Sequence, residues 1–433
     1  MKDRFLRNMH LVLWALCVAF YAYQYGIRSV IPSVLNEDLR QYFAINSTEM
    51  GSLIGIFYIS YMLMQIPVGL LIDRFSAKKI CLSAFALVSF FTISFVYTNN
   101  YTIAATSRFL LGCCCSFAFV LIIKISNDYF PREKVAFISS IAISIGSFGP
   151  IIMNPLLAHM SEIFPWREVV FGIGFFGFAM SLLGLFAVHE KKLPAINSSE
   201  NNIEKEEKEN EVSGLDKIWT DLKIIFSNSQ YLWIGLFSMA VLGPISTFCD
   251  AWGLSFLKET YDLDKEQASF LIANMYFAEI FGAPLVAIIA GKMQSYKKVM
   301  VGGSLLLIVL FFCIIFIKMP LYMLSILVFC TGIIATCQFL SFPAALVGTS
   351  KKIGATVTGA VNTLTMLGST LLIPIVGKIM DFSRGEAGDP SEIVAKYSVQ
   401  DYRAGLCALL FFLCIALCST IFIKDTYKQV SEK

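Results

Sequence analysis

Apolar residues fill this chain of 433 residues in twelve long stretches, six on each side of a charged break at Glu190–Lys223. A helix rises about 1.5 Å per residue, so an apolar stretch of about 20 residues crosses the ~30 Å hydrocarbon core of a bilayer. In lipid every backbone polar group must find its partner within the protein, and a spanning helix satisfies this inside its own segment. The sequence therefore predicts an all-α membrane protein with twelve transmembrane helices.

The predicted spans fall into two sets of six. An N-terminal six-helix bundle is expected at 1–189, a cytoplasmic linker at 190–230 and a C-terminal six-helix bundle at 231–433. Within the linker, Ala195–Gly214 is polar without apolar periodicity, whereas Ile218–Phe226 is typical of a short amphipathic helix on the membrane surface. The twelve spans are predicted at 11–34, 50–72, 79–97, 103–126, 135–159, 168–188, 231–256, 267–291, 299–317, 320–345, 354–380 and 404–423.

Composition agrees with this and excludes several function classes. Hydrophobic residues make up 57% of the chain and charged residues 15%, against roughly 25% charged in soluble domains. The net charge of +3 is small and dispersed, so no nucleic-acid partner is expected. The 12 Cys residues form no CxxC pair and no Cys/His ligand spacing, so we expect neither a metal nor a cofactor.

Loop charges predict the orientation. With both termini in the cytoplasm, the short inside segments hold 16 Lys and Arg residues and the outside loops hold 8. Cytoplasmic loops of membrane proteins carry such an excess. We therefore expect a multi-pass protein of a bacterial inner membrane with both termini cytoplasmic.

A charged motif follows the second span, where the chain reads Gly69-Leu-Leu-Ile-Asp73-Arg74-Phe-Ser-Ala-Lys78-Lys79. It resembles the loop signature of the major facilitator superfamily, Gly-x-Leu-x-Asp-Arg-x-Gly-Arg-Lys, although Ser76 and Ala77 stand where Gly and Arg are usual. The resemblance implies a gating loop formed by Gly69, Asp73, Arg74 and Lys78, in which the glycine lets two helices approach closely.

A second motif, Arg108-Phe-Leu-Leu-Gly112, opens the fourth span and resembles the fourth-helix Arg-x-x-x-Gly motif of the same superfamily. We expect Arg108 and Gly112 to be structural. The resemblance covers the whole chain and implies the major facilitator fold, with two pseudo-symmetric six-helix bundles. The strings around Arg108, Lys124 and Cys337-Gln338-Phe also resemble the phagosomal nutrient transporters and the lysosomal dipeptide transporters, which carry amino acids, nucleosides or dipeptides.

Four ionisable residues stand out deep within predicted spans, namely Arg28, Lys124, Asp250 and Glu279. Charges in lipid cost at least a few kcal/mol each, so such residues are functional candidates. Tyr21, Gln24 and Arg28 are spaced i, i+3 and i+7, which predicts that they share one helix face. Trp252 follows Asp250 closely, and Tyr276 precedes Glu279.

The signs of these charges predict a substrate class. Both cations lie in the first half and both carboxylates in the second, so a zwitterion fits between them, with its carboxylate on Arg28 or Lys124. Alternatively, Arg28 pairs with a carboxylate to lock helices, and Lys124 extends to the membrane surface. Further cavity-wall candidates, for which helix packing is the alternative, are Tyr58, Tyr61, Gln338 and Asn362.

These observations favour a secondary transporter that moves an amino acid or a short peptide by alternating access. Proton coupling would use Glu279 or Asp250, because burial favours the neutral form of a carboxyl group. The alternatives are an organic-anion or nucleoside transporter of the same fold, or a uniporter without coupling. We expect no enzymatic activity, because no nucleophile–base or metal cluster occurs, and we expect a monomer whose partners are a small molecule, the lipid bilayer and protons.

Overall fold

The computed structural model describes residues 2–187, 227–347, 349, 354–385 and 397–427. We call the residues up to 187 the first half and those from 227 the second half. The predicted polar linker and amphipathic helix lie outside the described residues, so the boundaries at 189 and 231 stay predictions.

The first half consists of helices that run back and forth. Several begin at a capping residue, such as Asn46. The Asn46 side chain accepts a hydrogen bond from the backbone N–H of Glu49, and the Glu49 side chain accepts one from the backbone N–H of Asn46. The helices are α1 (Lys2–Val34), α2 (Asn36–Phe43), α3 (Ser47–Arg74), α4 (Ala77–Tyr97), α5 (Tyr101–Cys115), α6 (Phe117–Tyr129), α7 (Arg132–Ile163) and α8 (Trp166–Ala187).

The second half repeats this pattern. Its elements are α9 (Ser229–Thr247), a π-helical segment (Phe248–Trp252), α10 (Gly253–Tyr261), α11 (Lys265–Met293), α12 (Tyr296–Phe316), α13 (Leu321–Ala335), a 3-10 segment (Thr336–Leu340), α14 (Ser341–Leu346), α15 (Gly354–Arg384) and α16 (Val399–Phe422).

Among the described residues, ten helical segments are long and apolar enough to cross a membrane. Helices α3 and α7, of 28 and 32 residues, have comparable length, so the structure is consistent with the twelve predicted spans. Large apolar side chains such as Phe175, Leu183 and Phe186 project from the surface, as expected for a protein that faces lipid. The prediction of an all-helical membrane protein is confirmed.

Three spans that the sequence predicts as single helices are interrupted. The fourth is divided at Ser116, whose hydroxyl donates to the carbonyl of Cys113, and the tenth is divided where Thr336 donates to Ile333. Such bonds compete with the regular helical ladder. The seventh span contains a π-helical turn around Asp250, and turns of this kind occur often at functional sites.

The molecule has two faces, at opposite ends of its long helices. Helix α2 lies between the end of α1 and the start of α3, and we call this side the α2 face. Successive long helices alternate in direction, so the start of α1 and the end of α16 lie on the opposite side, the terminal face. Helix α2 was not predicted from the sequence.

The two halves pack directly against each other. Helix α3 of the first half lies along α15 of the second, and a Cβ atom at Gly51 would be 2.8 Å from the Cα of Pro374. This contact therefore requires glycine. Helix α7 packs on α11, and Nδ1 of His159 lies 2.9 Å from Oε2 of Glu266. The Gly51–Pro374 contact and the His159–Glu266 pair both lie toward the α2 face.

Candidate functional site

Charged side chains join the two halves at the α2 face. Nζ of Lys258 in α10 lies 2.6 Å from Oε2 of Glu37 in α2. Nζ of Lys265, at the start of α11, lies 2.8 Å from Oδ2 of Asp38. Each pair has a cation from the second half and a carboxylate from the first, so both pairs hold this face closed.

Asp381 makes a second connection at the same face. Its carboxylate, near the end of α15, accepts from the backbone N–H groups of Ser47 at 3.2 Å and Thr48 at 2.7 Å, and from the Thr48 hydroxyl. The Tyr397 hydroxyl also donates to it. Ser47 and Thr48 begin α3, so a carboxylate of one half caps a helix of the other.

A cavity of about 350 Å³ lies between the halves. It extends from Arg28, near the α2-face end of α1, to Thr358, near the start of α15 at the terminal face. The first half contributes Tyr21, Tyr25, Arg28, Tyr61, Phe119 and Ser147 to its wall. The polar residues that the second half contributes are Glu279, Thr336, Gln338, Thr358, Asn362 and Thr365.

Arg28 lies over aromatic rings in this cavity. Its guanidinium carbon is 4.3 Å from the centre of the Tyr25 ring and 5.7 Å from that of Tyr58. Its Nε atom is buried without a hydrogen-bond partner, and among the described residues no carboxylate lies within ion-pair distance of it. The predicted alternative, in which Arg28 locks helices through an ion pair, is not what this conformation shows.

Asp250 is occupied by two tyrosines. The hydroxyl of Tyr58, from the first half, donates to Oδ2, and the hydroxyl of Tyr276, from the second half, donates to Oδ1. The Asp250 residue is 2% exposed, and it does not contribute to the cavity wall. In this conformation Asp250 therefore binds protein groups rather than facing a substrate.

Glu279 differs from Asp250, because its side chain contributes to the wall of the same cavity as Arg28. In the described part of the chain, no Lys, Arg or His lies within ion-pair distance of it. The cavity thus contains a cation from one half and a carboxyl group from the other, and neither is in an ion pair with a described protein group.

The set of first-span residues that lines the cavity differs from the predicted set at one residue. Tyr21 and Arg28 line the cavity, but the third residue is Tyr25, at i+4, whereas Gln24 is 1% exposed and is absent from the cavity wall. Both spacings are compatible with one helix face, so no signal in the sequence separates Gln24 from Tyr25.

Several other predicted residues contact protein rather than the cavity. Nζ of Lys124 lies 3.5 Å from Oδ2 of Asp128, one turn further along α6. Trp252 is fully buried, and its indole N–H donates to the carbonyl of Ile373 at 3.1 Å. Both remain predictions as substrate contacts, since conformations other than this one expose different surfaces.

Gln338 and Asn362 line the cavity and also make hydrogen bonds between helices. The Gln338 amide donates to Ser238 at 3.0 Å, and the Asn362 amide donates to Gln65 across the two halves at 3.1 Å. The two roles that the sequence left open, wall residue and interhelical bond, therefore occur together.

The motif residues lie at the helix ends. No described atom lies within 4 Å of a Cβ built at Gly69, so the described residues show no close helix contact there and the expected role of this glycine stays a prediction. Nζ of Lys78 donates to the carbonyl of Leu185 at 3.1 Å. The side chains of Asp73 and Arg74 lie outside the described part.

The fourth-span motif lies in a tightly packed region. Arg108 is 3% exposed, and its guanidinium carbon lies 5.3 Å from the centre of the Phe57 ring. A Cβ at Gly112 would lie 2.0 Å from the Ser60 hydroxyl oxygen and 2.4 Å from the Phe57 carbonyl oxygen. Glycine is therefore required where α5 crosses α3.

The helices and the polar cavity between two halves define a multi-pass membrane transporter. Among the described residues, no three His, Cys, Asp or Glu side chains are placed to hold a metal ion. The chain belongs to the Major Facilitator Superfamily, whose family model matches residues 14–373. The family resemblance stated from the loop motifs is thereby confirmed.

Relatives of known sequence are transporters. The chain is 26% identical over 235 residues to the uncharacterized transporter YybO of Bacillus subtilis (strain 168), and the match spans 54% of each protein. It is 24% identical over 327 residues to the probable galactarate/D-glucarate transporter GudP of Escherichia coli (strain K12), covering 69% of this chain and 72% of GudP. It is 23% identical over 310 residues to the probable sulfoacetate transporter SauU of Cupriavidus necator, covering 69% and 68%.

Solved structures share the fold. A bacterial homolog of the human lysosomal transporter Spinster, in an inward-facing and occupied conformation, has a TM-score of 0.74 at 15% identity, covering 96% of this chain and 97% of that one. The nucleoside transporter NupG has a TM-score of 0.70 at 15% identity, covering 96% of this chain and 98% of that one.

Proposed function

We propose that this protein transports a small solute that carries a carboxylate, and that Arg28 is the anchor for that carboxylate. The observation that carries the proposal is the state of Arg28, which lines a cavity between the halves without an ion-pair partner among the described residues. An unpaired guanidinium in a membrane-embedded site is costly, so it is retained where an anion binds. Its planar donors match a carboxylate in a bidentate manner.

The substrates in the names of two relatives support the same class. Galactarate, D-glucarate and sulfoacetate all contain a carboxylate. Identity to these relatives is low, so they support the carboxylate and not one particular molecule.

The remaining cavity wall favours a hydroxylated acid. Besides Arg28, it presents hydroxyl and amide groups from both halves, including Tyr21, Tyr61, Gln338 and Asn362. Such groups donate to and accept from substrate hydroxyls.

An amino acid or short peptide is the second candidate, and Glu279 is the observation that favours it. A zwitterion would place its carboxylate on Arg28 and its ammonium group on Glu279, because both line the same cavity. The names of GudP and SauU do not support this substrate class. The finer resemblance to phagosomal nutrient and lysosomal dipeptide transporters stays a hypothesis.

The predicted orientation of the termini implies a direction of opening. With both termini in the cytoplasm of a bacterial cell, the closed α2 face is external and the cavity lies toward the cytoplasm. Reporters fused after Lys433 and inserted near Asn201 should both be cytoplasmic, and an external reporter at either position would overturn this orientation.

Ligand binding to purified protein tests the substrate class. Thermal stabilisation should be measured with D-glucarate, glutamate, alanine, a dipeptide and a nucleoside, because a bound ligand raises stability by mass action. Arg28→Ala should weaken binding of the active carboxylate about tenfold or more, the effect of losing a hydrogen bond to a charged group. Arg28→Lys should restore binding only in part. Native affinity in a folded Arg28→Ala protein would refute the anchor.

Glu279 separates the two candidates and tests proton coupling. If the ligand is a zwitterion, Glu279→Gln should weaken its binding. If the ligand is a hydroxylated acid and Glu279 carries a proton, Glu279→Gln should keep binding and substrate exchange but abolish accumulation against a gradient. Asp250→Asn is the comparison, since Asp250 is absent from the cavity wall. Uptake that is insensitive to pH and to uncouplers would leave a uniporter.

A further inference from the structure

Three tyrosine side chains connect Arg28 to Asp250, and the two charged groups form no ion pair with each other. The Arg28 guanidinium lies over the rings of Tyr25 and Tyr58, at 4.3 and 5.7 Å from the ring centres. The Tyr58 hydroxyl donates to Asp250. On the other side, the Tyr25 ring packs edge-on against Tyr276 at 5.6 Å, and Tyr276 donates to Asp250 as well.

The charges of Arg28 and Asp250 are opposite, but the two side chains do not pair. A membrane-embedded arginine lies over the ring of Tyr58 and a buried aspartate accepts from the hydroxyl of the same residue, yet the arginine and the aspartate form no ion pair. An ionised carboxylate only accepts hydrogen bonds, and here each oxygen accepts one from a hydroxyl. Its hydrogen-bonding needs are met by neutral groups, so it does not need the guanidinium.

We infer that Tyr58 is a positioning residue, whose hydroxyl holds Asp250 so that Arg28 stays available to a substrate carboxylate. The inference rests on the proposed role of Arg28. It assigns Tyr58 an indirect role, in contrast to the expectation that Tyr58 itself contacts the substrate. In the structure Tyr58 is 1% exposed and its hydroxyl points to Asp250 rather than into the cavity.

Removal of the hydroxyl should redirect Asp250. In Tyr58→Phe the buried carboxylate loses one of its two donors, and a buried acceptor without its donor is costly. Arg28 is a cation over the Tyr58 ring, and its Nε has no partner among the described residues. Asp250 would then pair with Arg28 and compete with the substrate for it.

Chemical labelling of Arg28 tests this pairing without any substrate. The purified full-length protein is treated with phenylglyoxal, which modifies arginines, and the modification rate of Arg28 is followed by mass spectrometry. Tyr58→Phe should slow this modification about tenfold, the factor expected when a charge-assisted hydrogen bond engages the side chain. Tyr58→Phe/Asp250→Asn should restore the original rate. Tyr276→Phe should act in the same direction as Tyr58→Phe.

Two controls show whether a variant protein has lost its fold. Arg108, which is 3% exposed, should remain unmodified in every variant, and its labelling would reveal unfolding. Tyr23→Phe is the matched control, because among the described residues the Tyr23 hydroxyl bonds only to groups of the first half, to Ser89 at 3.3 Å and to the Ile173 carbonyl at 3.0 Å. This control should leave the Arg28 rate unchanged.

Binding of D-glucarate and glutamate provides the second readout. Tyr58→Phe should weaken the binding of whichever carboxylate the native protein binds by about tenfold, and Asp250→Asn in the same chain should recover it. A direct contact between Tyr58 and the substrate would not be recovered in this way. An unchanged Arg28 rate in Tyr58→Phe, or no recovery in the double variant, overturns the inference. If no carboxylate binds the native protein, the proposed function fails, while the labelling result still decides the role of Tyr58.

Discussion

Asp381→Asn should shift the protein toward a state that is open at the α2 face. In the structure the Asp381 carboxylate accepts four hydrogen bonds, three of them from Ser47 and Thr48 of the other half. These three bonds exist only while α3 and the end of α15 are in contact. Their loss therefore penalises the closed state and leaves the open state unaffected.

The size of the shift follows from the contacts. Asparagine keeps one acceptor oxygen and turns the other position into a donor that faces one backbone N–H group and one hydroxyl, since each carboxylate oxygen accepts one bond of each kind. Hydrogen bonds to a charged group contribute about 1.5–3 kcal/mol each, and the attraction of a helix N-terminus for an anion adds about 0.3–1 kcal/mol. Since Asp381 is partly exposed and one acceptor is kept, we expect a net loss of about 2 kcal/mol. That corresponds to a change of about 30-fold in the ratio of closed to open molecules.

Hydrogen–deuterium exchange of the full-length protein measures the shift. Amides in α2 and at the start of α3 should exchange faster in Asp381→Asn. Amides at the start of α15, on the terminal face, should exchange more slowly, because that face closes when the α2 face opens.

Asp401→Asn is the matched control. The Asp401 carboxylate also caps a helix near this face, but its partners Ser383 and Ser398 lie in the same half. Its loss should affect α16 locally and leave the terminal face unchanged. If faster exchange in Asp381→Asn is confined to the first turn of α3, Asp381 is a local cap and the reasoning is wrong.

Three further outcomes are expected. Gly112→Ala should strongly lower the melting temperature, because its Cβ would lie 2.4 Å from a backbone oxygen of α3. Gly69→Ala should have little effect, because no described atom lies within 4 Å of its Cβ. Equal effects of the two variants in thermal unfolding would contradict this expectation. Lys265→Ala and Asp38→Ala should each open the α2 face slightly. Their coupling energy in a double-mutant cycle should be at most about 1 kcal/mol and should decrease with added salt. Purely additive effects would show that the pair contributes nothing. Trp252→Phe should destabilise the protein by about 1 kcal/mol in chemical unfolding, because the buried indole N–H donates to a carbonyl of α15, and an unchanged stability would show that the bond is not needed.

Much of the architecture was predictable because lipid imposes a local rule. A spanning helix satisfies its backbone within its own residues, so length and apolarity alone predict α4, α8 or α12 without knowledge of their neighbours. The same rule makes a charge inside a span conspicuous. For that reason Arg28 and Glu279 were identifiable, and both line the cavity.

The interruptions of the helices were harder to predict from the sequence. The sequence contains the hydroxyls of Ser116 and Thr336, but many serines and threonines bond back to their own helix without dividing it. The π-helical turn at Phe248–Trp252 places Asp250 between two tyrosines, and no local pattern at these positions indicates it.

Tertiary structure alone decided which polar groups meet. Asp250 and Tyr58 are 192 positions apart, and Thr48 and Asp381 are 333 positions apart. One position along a helix changes the direction of a side chain by about 100°, so whether Gln24 or Tyr25 faces the cavity depended on how α1 is rotated against its neighbours. The sequence by itself determined the membrane environment, the helices and the charges that had to be explained, because each follows from interactions within a single segment. The partner of each charge followed from contacts between segments distant in the chain, which only the packing of the two halves creates.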